Sequence, residues 1–360
     1  MSALLQSSSE VSWFSALCDD DYEFLGVRTP ELQSSFEHCR KIVLHAEEGG
    51  YDNILLPSGY ALGIDSIAFA SAVAPLLRRM QLLVAVRCGE MWPPQLARQL
   101  ATLNEMLAGR LTVNIISSDL PGETLDGPGR YARTLETMLI LKDLMAGKPS
   151  SPERGFYNFD IPPPRITKGH KAPPFYFGGL SNEAREVAAQ AADVFLMWPD
   201  RMENLRSILT DMRQRALKYG RTLRFGYRVH VIVRETEADA KAYARKLISK
   251  LDPETGDAIR KSSLDASSFG VRRQAEMRDE ADTDGFVEDN LWTGIGRARS
   301  GCGAAIVGDP DQVLRKLEAY KALGFDAFIL SGYPHVDECD LFARYVLPSI
   351  NHAPLFGGSL

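Results

Sequence analysis

Short apolar runs alternate with amphipathic stretches along the whole 360-residue chain. The runs Val11–Phe14, Asn53–Pro57, Leu82–Val86, Leu111–Ile116, Phe175–Gly178, Val194–Met197, Phe225–Val233 and Ala327–Ser331 are brief and rich in β-branched and aromatic residues, which predicts eight strands. Between most of them lies a helical spacing of apolar residues, as in Leu96–Leu107, Glu183–Ala192, Asn204–Tyr219 and Glu237–Leu251. Strand–helix alternation predicts a parallel sheet. Eight such units in a chain of this length predict an α/β fold, a (β/α)8 TIM barrel with a long insertion before the last strand. A doubly wound open sheet is the alternative, and the missing Gly-x-Gly-x-x-Gly after the first strand speaks against it. The expected organisation is one domain over residues 11–350, preceded by a flexible segment 1–10 and followed by a tail 351–360.

One segment breaks the alternation. From Asp252 to Arg299 the chain is polar, highly charged and weakly periodic, and it ends in a glycine-rich run through Gly294, Gly296, Gly301 and Gly303 that carries Arg297 and Arg299. A long insertion inside a compact domain is usually a functional loop or a disordered excursion. Residues 252–303 are therefore expected to form a mobile lid that carries arginine over a site, with a solvated surface loop as the plain alternative.

The strand around residue 228 adds chemistry. Arg228 and His230 stand two apart and so face one side, while Tyr227, Val229 and Val231 face the other. A cation and a titratable imidazole on an apolar strand are costly to bury unpaired. Either a structural carboxylate or an anionic ligand must compensate them. Barrel active sites form where strands end, and several ends are unusual: Asn114 to Ser118, Gly178-Gly179-Leu180-Ser181, Met197-Trp198-Pro199 and Ser331 to His335. The Gly179–Ser181 turn before a helix offers backbone N–H groups and the positive helix end to a phosphate, although taken alone the turn is better explained by Ser181 or Asn182 as an ordinary helix cap. His38 and His45 read as helix-surface residues.

Charge and cysteine content narrow the class. A net charge of -6 gives no basic footprint for nucleic acid. No run is long enough to span a bilayer, and the start of the chain lacks a signal-peptide pattern. The five cysteines are scattered without a Cys-x-x-Cys pair, which predicts a reduced, cytoplasmic protein with no structural metal. They are expected to act as small buried hydrophobes. The candidate site is rich in cations and aromatics and poor in carboxylates.

Several segments then become recognisable: Gly50 to Gly59, Leu83 to Arg87, Ala97 to Leu103, Tyr176 to Gly179, Arg224 to Thr236, Asn290 to Gly303 and Leu330 to His335. From about Trp13 to Pro348 the chain resembles the bacterial-luciferase-like flavin monooxygenases, specifically their alkanesulfonate monooxygenase branch. The resemblance implies reduced FMN supplied by a separate NAD(P)H-dependent FMN reductase, dioxygen, and cleavage of the C–S bond of an organosulfonate to give sulfite and an aldehyde. By position it implies that Trp198, Arg228, His230, Tyr333 and the loop residue Arg299 are catalytic, and that Asn114, Ser117, Tyr131, Gly179 and Ser181 bind FMN. It also implies a homodimer or homotetramer. The sequence departs from that branch in three places. Ser58 to Asp65 lacks the branch's cysteine, Cys18 replaces a histidine, and Gly127-Pro128-Gly129 replaces a His-x-Glu. The pattern is also similar to the sulfoquinovose monooxygenases, which makes a sulfosugar, sulfoquinovose giving 6-oxo-glucose, the expected substrate ahead of simple alkane- or methanesulfonates. Two other readings stand beside it: a deazaflavin-dependent hydride-transfer enzyme of the same superfamily, and a flavin-binding barrel without turnover.

Overall fold

The computed structural model describes residues 8–60, 62–123, 125–152, 155–261 and 268–357. Its strands are β1 (Glu10–Phe14), β2 (Asn53–Leu56), β3 (Gln81–Arg87), β4 (Leu111–Ile116), β5 (Phe175–Gly178), β6 (Val194–Met197), β7 (Arg224–Val233), β8 (Phe286–Glu288), β9 (Leu291–Trp292), β10 (Ala305–Gly308) and β11 (Ala327–Ser331). Its helices are α1 (Phe36–Gly49), α2 (Ser66–Val73), α3 (Pro93–Met106), α4 (Gly127–Met145), α5 (Asn182–Ala191), α6 (Met202–Lys218), α7 (Glu237–Leu247), α8 (Pro253–Lys261), α9 (Phe269–Asp279), α10 (Pro310–Leu323) and α11 (His335–Tyr345).

Strands β1 to β7 pair in sequence order, all parallel, and β11 closes the ring by pairing with both β7 and β1. This is the expected eight-stranded barrel, and all eight predicted strands are present. Because the strands are buried on both faces, they read as near-continuous apolar runs. Phe14, Leu55, Leu83, Tyr176, Val194 and Ile329 fill the barrel interior, while a larger apolar layer lies between the barrel and its helices. Tyr227 belongs to that outer layer, packed in a tilted arrangement against Tyr320 with ring centroids 4.3 Å apart. Arg228 therefore faces inward, as the alternation requires.

The first and last described segments meet at the barrel's lower mouth. Residues 1–7 of the expected flexible segment lie outside the described residues, but Ser9 and Glu10 are buried, and Ser9 bridges to His352. Residues 358–360 of the expected tail also lie outside the described residues. Before them, Leu355 donates its N–H to Glu10 at 3.0 Å and packs with Phe356 against the interior cluster. The terminal residues that are described thus stopper the barrel.

The insertion is more regular than its polar sequence suggests. It holds α8, α9 and the antiparallel β8–β9 pair, with 262–267 outside the described residues. Strand β10, absent from the sequence-based assignment, runs parallel to β7 outside the ring and joins β9. The long strand β7 serves two neighbours: Gly226 to His230 face β11, and His230 to Val233 face β10.

Candidate active site

A cavity of about 390 Å³ opens at the carboxyl ends of the strands, where barrel active sites form. Its wall is assembled strand by strand: Phe14 and the Cys18–Asp19 turn after β1, Pro57 to Tyr60 after β2, Arg87 on β3, Asn114 to Ser118 on and after β4, Gly178 to Ser181 after β5, Trp198 after β6 and Arg228 on β7. Ile259, Ser268, Phe269 and Gly270 of the insertion complete it, together with Arg299 to Cys302. Eight of the ten predicted site residues line this one cavity: Asn114, Ser117, Tyr131, Gly179, Ser181, Trp198, Arg228 and Arg299. His230 and Tyr333 do not line it. They are fully buried immediately behind its wall.

Arg228 is 3% exposed, and among the described residues it has no carboxylate partner. Its Nη1 donates to the carbonyl of Val229 at 3.0 Å and its Nη2 to Oγ of Ser331 at 2.8 Å. The guanidinium lies over the Phe14 ring, 4.2 Å from the centroid. Burial pushes its pKa down to about 10, so it remains charged at neutral pH. Of the two possible compensations for this charge, the structure supplies no carboxylate, and the open side of the charge faces the cavity.

Ser331 passes the polarity on to His230. The two are register partners in the β7–β11 pairing, which places Ser331 Oγ 2.7 Å from His230 Nδ1. His230 Nε2 lies 3.2 Å from the carbonyl of Cys302, which can only accept. Burial first, then the charges of Arg228 and Arg299, hold the imidazole pKa well below its usual value. A neutral ring must then donate from Nε2 to Cys302 and accept at Nδ1 from the Ser331 hydroxyl. The resulting chain runs in one direction, from the Arg228 N–H through Ser331 and His230 to the Cys302 carbonyl.

Arg299 enters from the insertion. Its Nη1 donates to the Tyr333 hydroxyl at 2.7 Å and lies 3.9 Å from Asp19, while its Nε is buried without a hydrogen-bond partner among the described residues. Its guanidinium also sits over Phe14, 5.2 Å from the ring centroid. One aromatic ring thus has two cations against it. Tyr333 stacks on His230 at 5.4 Å, and burial raises its pKa although Arg299 opposes this. It is a neutral hydrogen-bonding group at ordinary pH.

The wall that carries the residues expected to bind FMN offers a glycine-lined turn and polar groups. A Cβ added at Gly179 would lie 2.5 Å from Cβ of Ala184, and one at Gly178 would lie 2.4 Å from the Leu196 carbonyl, so both positions need glycine. The Oγ of Ser117 is buried without a hydrogen-bond partner among the described residues. Ser181 caps α5 by accepting from Ala184 at 3.2 Å, which leaves the other N–H groups of the first helical turn for an anion. Among the described residues no group of three potential metal ligands occurs.

Phe14 and Asp19 belong to the site although the sequence did not single them out, while Arg87, Ser331 and Cys302 stood in segments that were singled out but had no role of their own. Phe14 lies at a strand end like the residues that were singled out, and that position is the signal for it. The reading of His38 as a surface residue is corrected: its Nε2 meets Asp21 at 3.0 Å, and the carboxylate's other oxygen meets His335 Nδ1 at 2.8 Å. Asp21 comes from the loop after β1, so periodicity along α1 alone could not reveal the pair. His45 meets Asp340 at 3.0 Å and stays partly exposed. Four cysteines are buried as expected, while Cys18 is only partly buried and borders the cavity.

Residues 24–327 match the family described as luciferase-like monooxygenase. The chain belongs to the luciferase-like monooxygenase family. It is 64% identical to a sulfoquinovose monooxygenase of Novosphingobium aromaticivorans, over 98% of this chain and 99% of that one. It is 50% identical to a sulfoquinovose monooxygenase of Agrobacterium fabrum, over 97% of this chain and 91% of that one. Among solved structures, a long-chain alkane monooxygenase shares the fold with a TM-score of 0.76 at 18% identity, covering 98% of this chain and 93% of the other. This luciferase-like monooxygenase is thus an enzyme built on the family's barrel. No helix among its described residues is long and apolar enough to cross a membrane.

Proposed function

We propose that this enzyme is a two-component, reduced-FMN-dependent monooxygenase that desulfonates sulfoquinovose. The observation that carries the reading is Arg228: a buried guanidinium with no carboxylate partner among the described residues, one edge open to the cavity, with a second cation against the same aromatic ring. A sulfonate is a permanent anion whose oxygens match the donor fork of guanidinium. Full-length identity to two sulfoquinovose monooxygenases supports the sulfosugar as substrate.

Asn114, Ser117, Tyr131, Gly179 and Ser181 would hold reduced FMN, with Gly179 and Ser181 offering an anion site for a phosphate. The bound group would supply the two electrons that dioxygen activation needs. One oxygen atom goes to the carbon that bore sulfur, which loses one C–H hydrogen as a proton when the aldehyde forms, and the other leaves as water. Sulfite departs with the electron pair of the broken C–S bond. Arg228 and Arg299 bind the sulfonate and stabilise the charge that grows on departing sulfite. Ser331 and His230 fix Arg228 by holding one of its donors. Tyr333 orients Arg299. Trp198 and Phe269 shield the reacting centre from water. A separate NAD(P)H-dependent reductase supplies the reduced flavin.

The test is an assay with purified enzyme, an FMN reductase, NADH and a panel of sulfonates. Stoichiometric sulfite and 6-oxo-glucose from sulfoquinovose are expected. No sulfite from any sulfonate, or flavin reduction by this chain alone with NAD(P)H, refutes the reading.

A further inference from the structure

Helix α9 of the insertion is fastened to two parts of the active site at once. Arg273 makes a two-point contact with Asp200, Nε to Oδ2 at 2.9 Å and Nη2 to Oδ1 at 2.8 Å. Asp200 is buried and lies two residues after Trp198. Gln274, the next residue of α9, is 6% exposed. Its Nε2 donates to the Pro199 carbonyl at 2.7 Å, and its Oε1 accepts from the Gly303 N–H at 3.2 Å. A carbonyl can only accept and an amide N–H can only donate, so only a group with both functions bridges them. One turn further along, Arg278 donates to the Gly296 carbonyl at 2.9 Å.

Gly296 and Gly303 bracket the segment that carries Arg299, and they contact each other through the Gly296 N–H and Gly303 carbonyl at 2.8 Å. The segment is tied to the barrel wall on its inner side by the His230 contact to Cys302. Gln274 ties the adjacent residue on its outer side. The Trp198 indole is wedged between the two partners: a Cβ on Gly270 of α9 would stand 3.0 Å from it, and one on Gly301 would stand 3.1 Å from it.

We propose that Gln274 is a positioning residue that locks the Arg299 segment to the end of β6 and so fixes where the second sulfonate-facing guanidinium stands relative to Trp198. This rests on the desulfonation reading for its chemical consequence but not for its structural one. Gln274 does not line the cavity. Its effect passes through Gly303 and Pro199. An error of about 1 Å in such a group can cost about 100-fold in rate.

The test uses the full chain with Gln274→Met, which keeps the volume and loses both bonds, and Gln274→Glu, which keeps the acceptor for Gly303 but opposes the Pro199 carbonyl. Hydrogen exchange of the peptide spanning 297–303 is measured first, without any substrate. Loss of the bond to Gly303 should speed exchange there roughly 2- to 10-fold in Gln274→Met. With FMN reductase and sulfoquinovose, kcat/KM for sulfite should fall about 100-fold, the KM for sulfonate should rise, and peroxide should replace sulfite. Reduced-FMN affinity should be unchanged, because the flavin wall is built by other elements. Gln274→Glu should fall between the two in exchange. Parent-like exchange in Gln274→Met, or faster exchange with parent-like coupling of oxygen to sulfite, overturns the assignment. If the parent enzyme releases no sulfite, the desulfonation reading fails, and the exchange comparison still decides whether Gln274 clamps the segment. Should Gln274→Met not fold, the same measurements on Gln274→Glu decide.

Discussion

The Ser331 hydroxyl lies 2.7 Å from Nδ1 of His230 while receiving a hydrogen bond from Arg228 at 2.8 Å. One hydroxyl thus fixes both the orientation of a buried cation and the tautomer of a buried imidazole. Replacing it with Ser331→Ala should weaken sulfonate turnover by roughly 10-fold, since a hydrogen bond to a charged group is worth about 1.5–3 kcal/mol. Steady-state kinetics with sulfoquinovose check this, and a variant that keeps the parent kcat/KM would show that Arg228 needs no such support.

Arg228 itself should matter far more. Arg228→Ala should lower kcat/KM by two orders of magnitude or more, given the roughly 2–5 kcal/mol cost of truncating a buried charged contact. Arg228→Lys should restore little, because the lysine point charge lacks the two-pronged donor geometry. Substrate titrations followed by sulfite release would settle it. Near-normal turnover in either variant would remove the anion-site assignment.

For His230 the structure changes the expectation. A histidine that titrated in catalysis would contribute a limb to the pH–rate profile. Its burial behind the wall, with a pKa held well below the usual range, instead predicts a ring that stays neutral above about pH 6.5, the unperturbed histidine value. His230→Asn should lower the rate without moving the neutral-range limbs of the kcat/KM profile. The disappearance of a limb would return His230 to direct proton transfer.

Removing Arg299 should separate oxygen use from desulfonation. Arg299→Ala leaves Tyr333 without its charged partner and opens the cavity beside Asp19. Peroxide should be released in place of sulfite, with NADH oxidation by the reductase system continuing. Equal sulfite yield per oxygen consumed in parent and variant would contradict this.

The Asp21 carboxylate links stability to acid. Burial disfavours its charge, but the pull of His335 and hydrogen bonds from His335 and His38 hold its pKa below the ordinary value. The unfolded chain therefore binds a proton there before the native state does. The stabilisation is present above about pH 4, the ordinary aspartate value, and is lost as pH falls through the folded value. Asp21→Asn should be less stable than the parent at neutral pH, with the difference narrowing below pH ~4. Denaturant midpoints across that range measure it, and a gap independent of pH would deny the linkage.

How much of this was legible in the sequence follows from which force holds each part. The eight barrel strands are buried on both faces, so their residues announce them almost to the boundary, as at Leu111–Ile116 and Ala327–Ser331. Arg228 was conspicuous because a cation does not belong in such a run. Helix α9 was not visible as an element because its attachment to the body runs through Arg273, Gln274 and Arg278 more than through an apolar stripe. Polar docking leaves no period to read. Ser331 and Asp21 act only through partners distant in the chain, and no spacing along one segment encodes those meetings.

The two-sided service of β7 has a further meaning for how such proteins change. The ring of hydrogen bonds closes through β11 in its first half, and the arm of β8, β9 and β10 is added alongside its second half. The roof over the cavity is therefore an annex, and its sequence and length can drift without opening the ring. Selection can re-tailor what sits above the cations, and with it the shape of the accepted molecule, while the wall that bears Arg228 is inherited intact.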